Sequence, residues 1–160
     1  MPARKPLVII GGAIRQLPPG DTVDAASSEV DVIALTNDGA TAAPIGSPVY
    51  ISGDNAFQLA RANAGATVNA IVLVRDPNIP AAANGIVQTD GTLTATTAQW
   101  DSITGESGGL VAGSTYFLSA AAAGQLTRTA PVTQGEYVLQ IGKAVSAETL
   151  EITITVPIQL

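Results

Sequence analysis

The chain has 160 residues and a formal net charge of −6, with 46% hydrophobic but only 12% charged residues. It contains no cysteine and no histidine, which excludes disulfides, thiolate metal sites and histidine-based acid–base catalysis. An acidic chain without a basic stripe is a poor match for a phosphate backbone, so we expect no nucleic-acid partner.

Residues 1–29 are predicted to form an extended N-terminal arm. Four prolines oppose regular helix and favour extended backbone there: Pro2, Pro6, Pro18 and Pro19. The β-branched run Leu7–Ile10 can pair as an edge strand, either locally or with a neighbouring chain. Three of the seven cations precede the first acid, Asp21: Arg4, Lys5 and Arg15. A basic arm on an acidic body is typical of a segment that binds a partner.

No targeting or membrane segment is predicted. The apolar run after Lys5 ends at Gly11-Gly12, and Arg15 follows before any signal-peptide cleavage region. No stretch of 18 apolar residues occurs, so we expect a soluble protein without a membrane partner.

From Val30 onward the sequence consists of short apolar runs separated by turn residues, and residues 30–160 are predicted to be a β domain. The runs are Val32–Leu35, Val49–Ile51, Ile71–Val74, Ile86–Val87, Tyr116–Leu118, Tyr137–Ile141 and Leu150–Ile158. The last run alternates apolar and polar residues, which predicts one strand with one buried face. Many short strands with Asp-Gly and Asn-containing turns predict an all-β antiparallel sandwich or barrel.

One segment departs from the β pattern. Residues 97–103 predict a short helix, capped by Thr96 or Thr97 and ended by Gly105. The segment carries the only tryptophan, Trp100, which we expect to pack at one end of the core.

An internal repeat is visible at an offset of 67 residues. Gly46–Ser52 recurs as Gly113–Ser119, and Gln58–Arg61 recurs as Gln125–Arg128. With a slip of one residue, Arg75 also matches Lys143. The pattern predicts two related β units, at about 46–75 and 113–143, that bury their apolar faces by pairing. The alternative is that two unrelated hairpins use similar turn residues.

Motifs for chemistry are scarce. Residues 105–109 match the five-residue pattern of a hydrolase nucleophile elbow, with Ser107 at its centre. That elbow requires a preceding strand, a following helix and a histidine base, so we interpret the segment as a glycine-rich turn and the protein as not an enzyme. The oxygen-rich turns at 37–39 and 53–55 lack the ligand spacing of a calcium loop. We expect neither a catalytic residue, nor a bound metal, nor a cofactor.

Two stretches resemble structural proteins of tailed bacteriophages. Residues 7–21 resemble the start of many such proteins, and residues 85–131 resemble a β module of phage fibres and head-decoration proteins. The segments that carry the second resemblance are Thr97–Asp101, Gly108–Leu110, Gly113–Ser119 and Gly124–Thr127. The resemblance covers somewhat over a third of the chain and implies a virion component without catalytic residues.

The resemblance implies a capsid decoration (cement) protein that lies on the capsid exterior and binds the major capsid protein, as a homotrimer. Binding only the assembled head would stabilise it by mass action. We expect the arm to make the contact by strand addition. The expected contact residues are Arg4, Lys5, Leu7, Val8, Ile9, Ile10 and Arg15.

The alternative is a tail-fibre or baseplate module that binds a host receptor or another virion protein. A fibre is expected to continue into shaft and receptor-binding regions, whereas this sequence ends at Leu160, which favours the decoration protein. Exposure of Trp100, Tyr50 or Tyr137 in a concave patch would favour the alternative.

Overall fold

The computed structural model describes residues 7–10, 13–16, 30–69 and 71–160. Within them the first strands are β1 (Leu7–Ile10), β2 (Ala13–Gln16), β3 (Val32–Asn37), β4 (Ala43–Pro44), β5 (Pro48–Gly53), β6 (Ala56–Leu59), β7 (Ile71–Val74), β8 (Asn78–Ile79) and β9 (Asn84–Gln88). The later ones are β10 (Thr92–Thr94), β11 (Thr115–Leu118), β12 (Leu126–Thr127), β13 (Tyr137–Val138), β14 (Gln140–Ala144), β15 (Thr149–Ile152) and β16 (Ile158–Gln159). Helix α1 spans Thr97–Thr104, and a 3₁₀ turn spans Gly65–Thr67.

The prediction of an all-β fold with a short helix is confirmed. Five strands close into a barrel in the order β3-β6-β5-β7-β9, and five others form a sheet in the order β10-β15-β14-β11-β12. Every described strand pair is antiparallel except β3 with β6, which run parallel and close the barrel. Small pairs of strands, β4 with β8 and β13 with β16, flank these two units.

The two units share one topology. Along the barrel the order β3-β9-β7-β5-β6 corresponds, strand for strand, to β10-β15-β14-β11-β12 in the sheet. Gly46 and Gly113 begin the equivalent hairpins, with φ of 83° and 80°. Gly46 N donates to Val74 O at 2.9 Å, and Gly113 N donates to Ala144 O at 2.8 Å. The two units therefore have the same strand order, although the first closes into a barrel and the second remains an open sheet.

The hydrogen bonds correct one detail of the repeat. They make Val74 equivalent to Ala144, 70 positions further along, so Lys143 is not the counterpart of Arg75. A shift of register between Tyr116 and Phe117, where β11 pairs with β14, accounts for one of the three additional residues.

The predicted single strand over residues 150–158 is wrong in its second half. β15 ends at Ile152, and the chain continues beside β14 with a changed register, because Thr153 N donates to Ile141 O whereas Thr155 N donates to Gln140 O. A slip of one residue turns the following side chains to the opposite face of a sheet. Val156 is consequently 81% exposed instead of buried.

One core joins the two units. Side chains of the second unit, including Trp100, Tyr116 and Leu118, form a cluster with Ile71 and Leu73 of β7. The other face of β7 carries Val72 and Val74, which pack inside the barrel. All four residues of β7 are buried, which explains why this strand has a continuous apolar sequence.

Helix α1 forms as the sequence predicts. Thr96 is its N-cap, in a capping box with Gln99, and Gly105 ends it with a φ of 70°. Trp100 is fully buried and donates from Nε1 to Glu148 O at 2.9 Å. Among the described residues, no helix has the length and apolar character needed to span a bilayer.

Candidate partner-binding surfaces

Five of the seven predicted contact residues fall on an N-terminal hairpin. β1 pairs with β2 in an antiparallel register that sets Leu7 opposite Gln16 and Ile10 opposite Ala13. The run Leu7–Ile10 therefore forms one strand, and Arg15 lies on the other, opposite Val8. Arg4 and Lys5 lie outside the described residues, as does the remainder of the predicted arm.

The hairpin sequence is largely apolar. Six of its eight strand residues are apolar, and the other two are Arg15 and Gln16 at the end of β2. A two-stranded hairpin cannot bury both faces by itself and is at best marginally stable alone in water. The element is suited to binding a second surface that covers it.

A second apolar surface, which the sequence did not predict, lies at the C-terminal end. It comprises Val132, Val156, Ile158 and Leu160, exposed by 86%, 81%, 63% and 42%. Hydrogen bonds from Gly135 N to Leu160 O and from Leu160 N to Glu136 O hold the chain end there. We call these four residues the C-terminal apolar surface. Contiguous exposed apolar patches are typical of interaction sites, so these four exposed side chains are candidates for one.

The third feature is the first half of β3. Val32 and Ile33 are 44% and 46% exposed, and Ala34 is also exposed, whereas Leu35 is buried in the barrel. The apolar run Val32–Leu35 predicts a strand but not the exposure of its first half. Its exposure depends on where β6 begins beside it, and the sequence of β3 does not predict that position.

The residues that carry the phage resemblance form the framework of the second unit. Asp101 Oδ1 accepts from Gly109 N at 2.6 Å, which fixes the loop after α1 onto the helix. Val111 N donates to the Tyr116 hydroxyl at 2.9 Å, and Tyr116 is fully buried. These side chains hold the backbone in place and do not present polar groups to a ligand.

The aromatic residues do not form an exposed patch. Trp100 is buried, and Tyr50 and Tyr137 are half-buried against the same core cluster. The Tyr50 hydroxyl donates to Gln58 Oε1 at 3.0 Å. The exposure that would favour a receptor-binding module is therefore not observed at any of the three positions.

The segment that resembles a nucleophile elbow lies in the loop that follows α1. Its first residue, Gly105, is the C-cap of the helix, so the strand–turn–helix geometry of an elbow is not formed. Glu106 in this loop forms a salt bridge with Arg128, with Nε 2.9 Å from Oε1. Its carboxylate raises the pKa of Arg128 through that hydrogen bond and through its charge. The pair joins the loop to the end of β12.

Among the described residues, no group of three or more Asp or Glu side chains is placed so that it could hold a metal ion. In the turn at 37–39, Asn37 is buried and its amide donates to Thr41 O and Ile79 O. Asp38 accepts from Ser52 Oγ at 2.8 Å. Both residues thus serve the turn.

No protein-family model matches this sequence, and no curated protein matches it.

Proposed function

We propose that this protein is a bacteriophage capsid decoration protein that binds the assembled head and stabilises it by non-covalent contacts. The observation that carries the proposal is a rigid β domain without ligand-binding groups in its phage-like segments, joined to an N-terminal hairpin with apolar strands and positive charge. The segments that resemble phage head and fibre proteins build the core and loops of the second unit. The role of such a module is to hold contact surfaces in fixed positions.

The hairpin supplies the primary contact in this proposal. Strand addition gives main-chain hydrogen bonds that need no charged side chain. The apolar residues of β1 gain burial that the hairpin cannot provide for itself. Arg15, with Arg4 and Lys5 before the hairpin, adds positive charge for an acidic capsid surface.

Stabilisation follows from mass action. A protein that binds the assembled lattice, and not the separate subunits, adds its binding free energy to the assembled state. At a free concentration a hundred times the Kd, the gain is about 2.7 kcal/mol per site. A shell with many such sites becomes more resistant to heat.

The test uses phage heads that lack this protein. Purified full-length chain is added to them, and bound protein is located by electron microscopy and quantified after sedimentation. We expect saturable binding to the head exterior and an increased temperature of head disruption. The Ile9→Pro variant, which removes a strand hydrogen-bond donor from β1, is expected to lose binding, whereas Ile9→Val retains it.

Density on the tail or baseplate of complete virions, with none on heads, would overturn the proposal and favour the fibre or baseplate module. Unchanged head binding by Ile9→Pro would overturn the role of the hairpin. Normal circular dichroism of both variants is the control that the β domain remains folded.

A further inference from the structure

One side of β3 is fully paired. β3 and β9 are antiparallel, and Thr89 N donates to Asp31 O at 3.0 Å. At the other end of the strand Asn37 N donates to Ala83 O at 2.9 Å. In an antiparallel pair alternate residues direct their backbone groups toward the partner. Residues 31, 33, 35 and 37 therefore bond to β9, and residues 32, 34 and 36 point away from it.

The other side of β3 is paired only in its second half. Thr36 N donates to Asn55 O at 2.9 Å, at the beginning of the parallel pairing with β6. β6 starts at Ala56, so it does not reach back along the first half of β3. Within the described part of the chain, no strand pairs with the outward backbone groups of Val32 and Ala34.

This open edge is apolar. Val32 and Ile33 are each nearly half exposed, and Ile33 pairs with Val87, which is fully buried inside the barrel. Among the residues that the structure describes, no strand lies on the outward side of β3 at Ile33. The residues 32–35 include neither the proline nor the lysine with which proteins commonly block an open edge.

We propose that this edge is a strand-acceptor site, and that its occupant is the N-terminal hairpin of a second copy of this chain. Among the described residues, one copy carries both halves of the interaction. The strands of the hairpin pair only with each other, and the first half of β3 has no partner strand on its outward side. An added strand bonds to Val32 and Ala34, extends the sheet and covers Ile33.

Charge complementarity supports this occupant. Residues 1–16 contain three cations and no acid. At the acceptor, Asp31 N donates to Asp90 Oδ1 at 2.9 Å, which holds two carboxylates beside the start of β3. Residues 30–160 contain four cations and ten acids, so the acceptor belongs to a body of charge −6. The basic hairpin reduces the repulsion between two such bodies.

The chain length also fits a contact between copies. The 13 residues 17–29 separate the hairpin from Val30, and 13 residues span at most about 45 Å when extended. A domain of the size of residues 30–160 has a radius of gyration of about 14 Å. The hairpin can therefore reach the edge of an adjacent copy. Because donor and acceptor are different surfaces, the contact between copies is head-to-tail.

Strand addition between copies is independent of the proposed capsid role. A two-stranded hairpin has two outer edges, and β3 pairs with one of them. The other edge remains available to a capsid protein, so the two proposals are compatible and are tested separately.

The experiment mixes two defective variants of the full-length chain. Ile9→Pro damages the donor hairpin and leaves the acceptor intact. Ala34→Pro removes the outward N–H of the acceptor without breaking a β9 hydrogen bond, since proline is tolerated at an open edge. Ile9→Val and Ala34→Thr are the matched controls that keep both N–H groups. Molar mass is measured by light scattering after size exclusion.

We expect the wild type and both controls to be oligomers and each proline variant to be a monomer. The mixture of the two proline variants is expected to form a one-to-one complex, because it contains one intact hairpin and one intact edge. A monomeric wild type, an oligomeric Ala34→Pro variant, or a mixture that stays monomeric would overturn the proposal. A monomeric wild type is also the result expected if the hairpin binds the β3 edge of its own chain.

Hydrogen exchange of single amides gives an independent readout. In the wild-type oligomer the Val32 and Ala34 amides are expected to exchange at least tenfold more slowly than in Ile9→Pro. The Ile33 and Leu35 amides bond to β9 and are expected to be equal in both proteins. Equal exchange at Val32 and Ala34 would contradict strand addition. The Ala34→Pro variant keeps an intact hairpin. Its binding to phage heads therefore tests the proposed capsid role independently of strand addition between copies.

Discussion

At the scale of single residues, the two copies place equivalent glycines in different surroundings. Gly46 and Gly113 both adopt a positive φ, at 83° and 80°, a region in which glycine avoids the strain that other residues incur. A Cβ on Gly46 would lie 2.6 Å from Trp100 Cζ3, whereas a Cβ on Gly113 would meet nothing within 4 Å. Substitutions at these two glycines therefore distinguish the effect of backbone strain on stability from the effect of side-chain packing.

We expect Gly113→Ala to lower the free energy of unfolding by about 1–2 kcal/mol, the cost of a left-handed backbone for an L-residue. Gly46→Ala carries the same strain and also overpacks Trp100, which adds about 1–3 kcal/mol. Urea unfolding of both variants measures the difference. Equal losses would show that Trp100 moves aside without cost.

At the scale of elements, α1 depends on its first turn. The Thr96 hydroxyl accepts from Gln99 N at 3.3 Å, and the Gln99 side chain accepts from Thr96 N at 2.9 Å. The helix has only eight residues, too few to be stable alone, so its ends and the burial of Trp100 and Ile103 keep it in place.

Replacing Thr96 by alanine is expected to destabilise the protein by about 1 kcal/mol, because the cap hydrogen bond is lost. Thr96→Ser keeps the hydroxyl and is expected to unfold at nearly the wild-type urea concentration. A loss of the same size in both variants would indicate that the methyl group, and not the cap, stabilises the helix.

The side chains of the C-terminal apolar surface are exposed and do not pack in the core. Ile158 is 63% exposed, so Ile158→Asp is expected to change stability by less than about 0.5 kcal/mol. If this surface contributes to head binding, the same variant weakens binding at least tenfold. Val145→Asp, at a position 59% exposed in the turn between β14 and β15, is the control. Equal binding by the two variants would exclude the surface from the contact.

At the scale of the whole molecule, the two β units are one folding unit. Ala62 N donates to Ser119 O at 2.9 Å, and Tyr137 N donates to Ala62 O at 2.9 Å, so main-chain bonds cross between the copies. The Arg61 guanidinium adds a bond to Ala120 O at 2.8 Å. The larger core cluster contains residues of both units.

We therefore expect a single cooperative unfolding transition. Fluorescence of Trp100, which reports the shared core, and far-ultraviolet circular dichroism, which reports all strands, are expected to have the same midpoint in urea. Two separate midpoints would show that the units unfold independently.

The sequence predicts the elements whose signals are local. Strand β7 follows from an apolar run between turn residues, and α1 follows from Thr96 and Gly105. The exposure of Val156 could not be predicted, because it results from a register change opposite Gln140, which is distant in the sequence. The open edge of β3 likewise depends on where β6 begins. Both surfaces depend on which strands pair and in which register, and the sequence of a single strand determines neither.

The burial of β7 on both faces makes the barrel dependent on the second unit for its solubility. Ile71 and Leu73 belong to the core of the second unit, while Val72 and Val74 belong to the barrel. The barrel expressed alone would expose Ile71 and Leu73 to water, and an exposed apolar stripe of this kind promotes aggregation.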